Sequence, residues 1–246
     1  MSYKNKIIDS GNVKEFCFYH TPRYQPGAGT RQKRRNPTPE EVRANNKRYA
    51  ENKLYHKICC NFTSDDLYIT IKYDGISGKE ATASQMKQDI KRFLRLLRAE
   101  YRKNGKELRY IYVYGISENG FRHFHMVLND IDIRIIQDCW HKATEHAARV
   151  TFEHLFKDYD YIRLAKYLIK NGQEAINFDN KSFTQLYSCS RNLKNPVVTV
   201  KPVISRGTFR EKIKVDEGFR LVKDSIQSGY DCYGFRFFRY LTIRKE

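Results

Sequence analysis

The spacing of apolar positions changes period several times along this chain. In DLYITIKYDG, residues 66–75, β-branched and aromatic side chains alternate and stop at an Asp-Gly pair. That pattern predicts a strand closing in a turn, with Thr70 on the same face as Tyr68 and Lys72. From Ser84 the period becomes 3.6: Met86, Ile90, Phe93, Leu94, Leu97 and Tyr101 form one stripe, and Lys87, Lys91, Arg95, Arg98 and Arg102 fall largely off it. A long amphipathic helix packed on a sheet is the expectation. RYIYVYGIS (109–117) and HFHMVL (123–128) read as two more strands, and the short ENGFR between them predicts an antiparallel hairpin. Weaker helical character covers 133–150. DYIRLAKYLIKNG (160–172) predicts a short helix with an acid at its start and Asn-Gly at its end. The tail shows a helix-then-strand pattern closing on YGFRFFRYLTIRK. The order strand, helix, strand, strand, helix predicts an α+β fold, a central antiparallel sheet with flanking helices.

Ahead of these elements the pattern fades. TPRYQPGAGT is followed by RQKRRNPTPEEVRANNKRYAENK, dense in Lys, Arg and Asn. We read residues 1–57 as a basic N-terminal arm, 58–200 as the main domain and 201–246 as a C-terminal extension packed on that domain. Within the arm, Thr38-Pro39-Glu40-Glu41 offers an N-cap, a proline at the first helical position and first-turn acids, predicting a helix over 39–57.

Charge then narrows the partner. Lys and Arg outnumber Asp and Glu 46 to 28, a formal net charge of +18, and aromatics are 14% of residues. A polyanion is the expected partner, and the aromatic content favours unpaired bases that can be stacked. No apolar window is long enough to span a bilayer, and the N-terminal stretch lacks the apolar core of a signal peptide, so no membrane partner and a cytoplasmic location are expected. Six cysteines without a C-x-x-C pair suit reduced thiols. DGISGKE has too few residues between its glycines for a phosphate-binding P-loop.

Two constellations carry chemistry. In a strand, His123 and His125 project to one side with Val127, while Phe124, Met126 and Leu128 project to the other, which leaves the histidines facing outward together. On its own, such a spacing is met most often as two hydrogen-bonded or surface imidazoles. Glu118 stands at the end of the partner strand, where a hairpin can return its carboxylate to the pair, and two imidazoles with one carboxylate suit Mn or Mg with positions open for substrate. On the helix over 160–172, Tyr161, Leu164, Ala165 and Leu168 form a packing stripe, with Arg163, Tyr167 and Lys170 on a neighbouring polar face. Tyr167 there is either a nucleophile aided by cations or a half-buried core tyrosine. His141, His146 and His154 read as structural or surface residues.

Together these pieces identify a resemblance. LYITIKYDG, ENGFRHFHMVL and YLIK, in that order, resemble the three motifs of the HUH endonucleases, specifically the rolling-circle replication initiator (Rep) proteins of bacterial plasmids, phages and integrative elements. NPTPEEVRANNKRYAENKL and YSCSRNLKNPV also look like segments of such initiators, so the resemblance covers roughly 36–200. It implies a core like that of RNA-recognition motifs, with His123, His125 and Glu118 holding a divalent Mn or Mg ion. Tyr167 would be the single nucleophile, assisted by Lys170. The implied reaction nicks one strand of single-stranded or hairpin origin DNA, leaves a 5′-phosphotyrosine and a 3′-hydroxyl, and is served by host helicase and DNA polymerase. Arg122, Arg163, Lys166, Arg191 and Lys194 are the expected DNA-binding residues. A relaxase or single-tyrosine transposase shares this chemistry, but relaxases usually place the tyrosine ahead of the histidines. A non-catalytic nucleic-acid-binding module is the other class, since GFRFFRY (234–240) loosely resembles an RNA-recognition strand with the wrong glycine spacing.

Overall fold

A computed structural model describes residues 3–20, 38–73, 80–145, 149–156, 159, 161–178, 182–203, 212–230 and 235–245. TPRYQPGAGT, the basic run 31–37, the Asp74-Gly75 turn, His146, Asp160 and the glycine of GFRFFRY lie outside these residues. The described part is α+β, with ten strands and four helices: β1 (Tyr3–Asp9), β2 (Val13–His20), α1 (Pro39–Asn61), β3 (Leu67–Lys72), α2 (Ala83–Lys103), β4 (Tyr110–Ile116), β5 (Arg122–Leu128), α3 (Ile133–Thr144), β6 (Arg149–His154), α4 (Ile162–Phe178), β7 (Ser188–Cys189), β8 (Val197–Pro202), β9 (Phe219–Tyr230) and β10 (Arg236–Arg244). They build two antiparallel five-stranded sheets in two compact units, residues 50–194 and residues 1–49 with 195–246.

In the 50–194 unit the sheet order is β6-β3-β5-β4-β7. Alternation sends Ile69 and Ile71 of β3 and Phe124, Met126 and Leu128 of β5 to one face, where they are fully buried with Met86, Ile90, Phe93 and Leu97 of α2 and Trp140 of α3. Trp140 meets Phe93 and Phe124 edge-on at centroid distances of 5.6 and 5.5 Å. Burial of each such side chain contributes about 1.5–3 kcal/mol. The predicted stripe of α2 is thus its packing face, and Thr82 caps the helix by accepting a hydrogen bond from the Gln85 N–H at 3.1 Å. α4 lies along β4 on the opposite face, burying Ala165, Leu168 and Ile169.

Three boundaries differ from the sequence pattern. Helical character over 133–150 ends at Thr144, where Glu145 takes a left-handed conformation (φ 63°), and Arg149–His154 pairs with β3 as a strand. α4 runs through Asn171-Gly172 to Phe178: Gly172 is no terminator here, because its missing side chain makes room for the Leu186 carbonyl, which a Cβ would overlap. The tail pattern read as helix then strand is two strands, β9 and β10, paired with each other.

The other unit has the order β8-β1-β2-β10-β9. Residues 3–20, read as part of an arm, form the β1–β2 hairpin, turning at Gly11, whose φ of 80° favours glycine. β9 and β10 join this sheet rather than extending the 50–194 unit. Its core is aromatic, with Phe16 stacked on Tyr240 at 4.8 Å. Helix α1 starts in a reciprocal capping box: Glu41 N–H donates to Thr38 Oγ1 (3.2 Å) and Thr38 N–H to Glu41 Oε2 (2.8 Å). It extends to Asn61, and only its second half, with Leu54, Tyr55, Ile58 and Cys59, is buried.

Candidate functional site

The site is assembled by strand register. β5 lies between β3 and β4, so His125 stands opposite Thr70 and Val113, and His123 opposite Lys72 and Gly115. The ladder continues through Gly115 without a bulge. Gly115 is there for space: a Cβ would fall 2.7 Å from His123 Cδ2 and 2.9 Å from Cε1, inside the imidazole. The hairpin closes over Ser117–Phe121, with Ser117 N–H donating to the Phe121 carbonyl at 2.9 Å and Gly120 at φ 79°.

Both histidines do share a face, but they do not face solvent. His123 and His125 are 8% and 3% exposed, because α4 covers that side of the sheet. Their Nε2 atoms are 3.0 Å apart. His123 Nδ1 lies 3.2 Å from the Phe121 carbonyl, which can only accept, so Nδ1 carries the proton and Nε2 presents a lone pair. His125 Nδ1 is held by Tyr68 Oη at 2.7 Å and Thr70 Oγ1 at 3.0 Å. Burial pushes the His125 imidazolium pKa down to about 3, with His123 adding to the fall and a hydrogen bond with Asn171 working against it. Burial also lowers His123, partly offset by the Phe121 carbonyl. Both rings therefore stay neutral at physiological pH, the form in which imidazole binds metal. Burial raises the Tyr68 phenol, which stays protonated as a hydrogen-bonding partner.

Tyr167 projects from α4 toward this pair. Its hydroxyl is 3.3 Å from His125 Nε2, and the residue is 46% exposed, a polar tip at the wall of a cavity of about 910 Å³. The cavity is also lined by Glu118, Arg122, Asn171, Lys72 and Arg149. Two neutral imidazole nitrogens converging on one point, a carboxylate on the wall and hydroxyls behind one ligand form a donor set that fits a divalent cation.

The remaining predicted residues divide. Glu118 lines the cavity, but among the described residues no third His, Cys, Asp or Glu groups with the histidine pair closely enough to complete a metal site. Lys170 is exposed on α4, 3.7 Å from Glu174, and does not line the cavity. Arg122 lines it and stands over the Phe178 ring at 5.9 Å. Arg163 and Lys166 are exposed on α4. Arg191 borders a second cleft, and Lys194 is exposed, its backbone clasped to Asn61. The sequence reading missed Lys72 and Arg149, cross-strand partners on the histidine face, and the second-layer roles of Tyr68, Thr70 and Asn171. Alternation already placed Lys72 with Thr70; only the unrecognised strand β6 could have added Arg149.

Five cysteines, 17, 59, 60, 139 and 189, are free thiols. No helix among the described residues is long and apolar enough to cross a membrane. Residues 66–172 match the family model of the replication-associated protein ORF2, a family of rolling-circle replication initiators. No curated protein and no solved structure matches the chain.

Proposed function

Taking as premise that residues 66–172 carry the replication-associated ORF2 region of a rolling-circle initiator, we propose that the protein nicks one strand of its replication origin, with Tyr167 as the nucleophile. The observation that carries this reading is the Tyr167 hydroxyl, exposed at the cavity wall and 3.3 Å from His125 Nε2. A phosphodiester lying over the histidine pair would be within its reach.

In the proposed step, Tyr167 Oη attacks phosphorus in line. The phosphorus–tyrosine oxygen bond forms as the bond to the 3′ oxygen breaks. The phenol proton is released to water and the 3′ oxygen takes one up, leaving a 5′-phosphotyrosine and a free 3′-hydroxyl. The reverse attack by a 3′-hydroxyl rejoins strands with the same bond count. His123, His125 and Glu118 would hold the Mn or Mg ion, which when bound supplies Lewis-acid polarisation of a phosphate oxygen. Lys72, Arg122 and Arg149 place positive charge around the cavity and would orient the phosphate and offset the charge that spreads over its oxygens in the transition state. Tyr68 and Thr70 fix the tautomer of His125. Lys170 would act only at a distance, by favouring the phenolate. The freed 3′ end would prime a host polymerase, with a host helicase opening the duplex ahead of it.

The test is covalent capture. Incubated with Mn and labelled single-stranded oligonucleotides tiling the origin of the replicon that encodes it, the protein is expected to form an adduct stable to denaturation, and Tyr167→Phe to form none. An adduct that persists in Tyr167→Phe, or wild-type protein that forms none on any tile, refutes the assignment.

A further inference from the structure

A second cleft in the 50–194 unit, about 530 Å³ in volume, lies away from the histidines. It is lined by Arg98 and Arg102 of α2, by Arg191 in the segment after β7, and by Glu107, Tyr110 and Asn192. Three guanidinium groups share it with one carboxylate. Among the described residues, no carboxylate is ion-paired with any of the three arginines. The walls are fixed. Ser190 N–H donates to the Tyr110 carbonyl at 3.0 Å, Tyr110 N–H to Ser190 Oγ at 3.1 Å, and Asn192 Nδ2 to the Leu108 carbonyl at 3.1 Å. Like charges held together on rigid backbone repel one another, and an anion relieves that repulsion.

The cleft opens onto a longer track. Lys91, Arg95, Arg98 and Arg102 are spaced four, three and four residues apart, so they form one exposed stripe about 16 Å long on α2. That is the length of about five base-pair steps along one DNA strand. The only aromatic ring lining the cleft belongs to Tyr110, 9% exposed. A surface with cations and no stacking platform suits paired DNA, whose bases are already stacked, better than a single strand.

We infer that the α2 stripe and the Arg98–Arg102–Arg191 cleft bind the phosphodiester backbone of duplex DNA flanking the nick site. This rests on the reading that the protein acts on DNA. The cleft sits at Tyr110, five residues along β4 from Gly115, and on the face opposite the histidines. The two sites are about 17 Å apart along the strand. Duplex held there leaves the histidine face open for the unpaired strand.

The experiment measures binding, not cutting, so that its failure is separable from failure of the nicking assignment, which the Tyr167 adduct alone decides. Full-length protein is titrated by fluorescence anisotropy against a labelled random-sequence duplex and against labelled oligo-dT, at a series of salt concentrations. For the double variant Arg98→Ala/Arg102→Ala, the log–log salt dependence of duplex binding should become shallower by about 2, from roughly 0.9 per lost phosphate contact. Oligo-dT binding should change less. Arg98→Lys/Arg102→Lys should restore the slope, which a purely structural effect of removing the arginines would not allow. An unchanged duplex slope in the alanine variant, a loss confined to oligo-dT, or no salt-dependent duplex binding by the wild type overturns the inference.

Discussion

Gly115→Ala tests the site at its tightest point. The backbone at 115 is not in the left-handed region, so alanine can adopt it, and a strand position tolerates a methyl group. The cost is steric and local. To bring His123 Cδ2 from 2.7 Å to ordinary contact at 3.4 Å from the new Cβ, the ring must retreat by at least about 0.7 Å, and Nε2 lies nearer still. Overpacking of this kind costs about 1–3 kcal/mol of stability. Ligand geometry is less forgiving, because metal–ligand distances hold to within about 0.2 Å. The variant should therefore remain folded, with a slightly lower urea midpoint, yet lose Mn affinity by at least about tenfold. Isothermal titration calorimetry with Mn reads the affinity and circular dichroism the fold. Gly120→Ala is the control: nothing lies within 4 Å of its Cβ position, but φ is 79°, so stability should fall by about 1–2 kcal/mol with Mn affinity retained. Wild-type Mn affinity in a folded Gly115→Ala protein would refute the placement of His123 as a ligand.

Other expectations follow from the same geometry. Removing both partners of His125 Nδ1, in Tyr68→Phe/Thr70→Val, should weaken Mn binding by about 10–100-fold while each single change does less, since either hydroxyl can hold the ring; calorimetry decides. Without metal, stability should fall as pH drops from about 6.5 toward 3. The folded-state pKa values of His123 and His125 lie below the unfolded value, so the unfolded chain binds more protons in that window. A urea midpoint for metal-free protein that is flat between pH 7 and pH 5, or an equal slope in His125→Gln, would count against it. Gly172→Ala, which helix propensity alone would favour by about 1 kcal/mol, should instead destabilise, because the methyl group meets the Leu186 carbonyl; a raised urea midpoint would contradict this.

The sequence was most informative where one face of an element is apolar. Met86 through Tyr101 marked the packing side of α2, and strict alternation placed both histidines and Thr70 on one face before any coordinates. It misled where burial is two-sided. With α4 covering the histidine face, a polar-looking side became an interior, and a pattern of inside and outside could not register that. β6, VTFEH after Arg149, was hidden by continuing a helical reading past Thr144, although its β-branched and aromatic start was visible. Gly172 looked like a helix stop because glycine often is one; only the approach of residue 186, distant in sequence, gives its other use. β1 and β2 drew little attention because their partners β8 and β10 lie about 190 or more residues away, and no local signal encodes such pairing.

Asn61 and Lys194 join hands by two hydrogen bonds, 2.9 Å from Asn61 Nδ2 to the Lys194 carbonyl and 2.7 Å from Lys194 N–H to Asn61 Oδ1. They clasp the chain where it enters and leaves the histidine-bearing unit. A ribosome making this protein would thus release every strand of that unit by residue 194, while β1 and β2 still wait for β8, β9 and β10. The order of birth runs from the inside outward: the part read here as the nicking centre can close on itself first, and the sheet built from both chain ends is completed last.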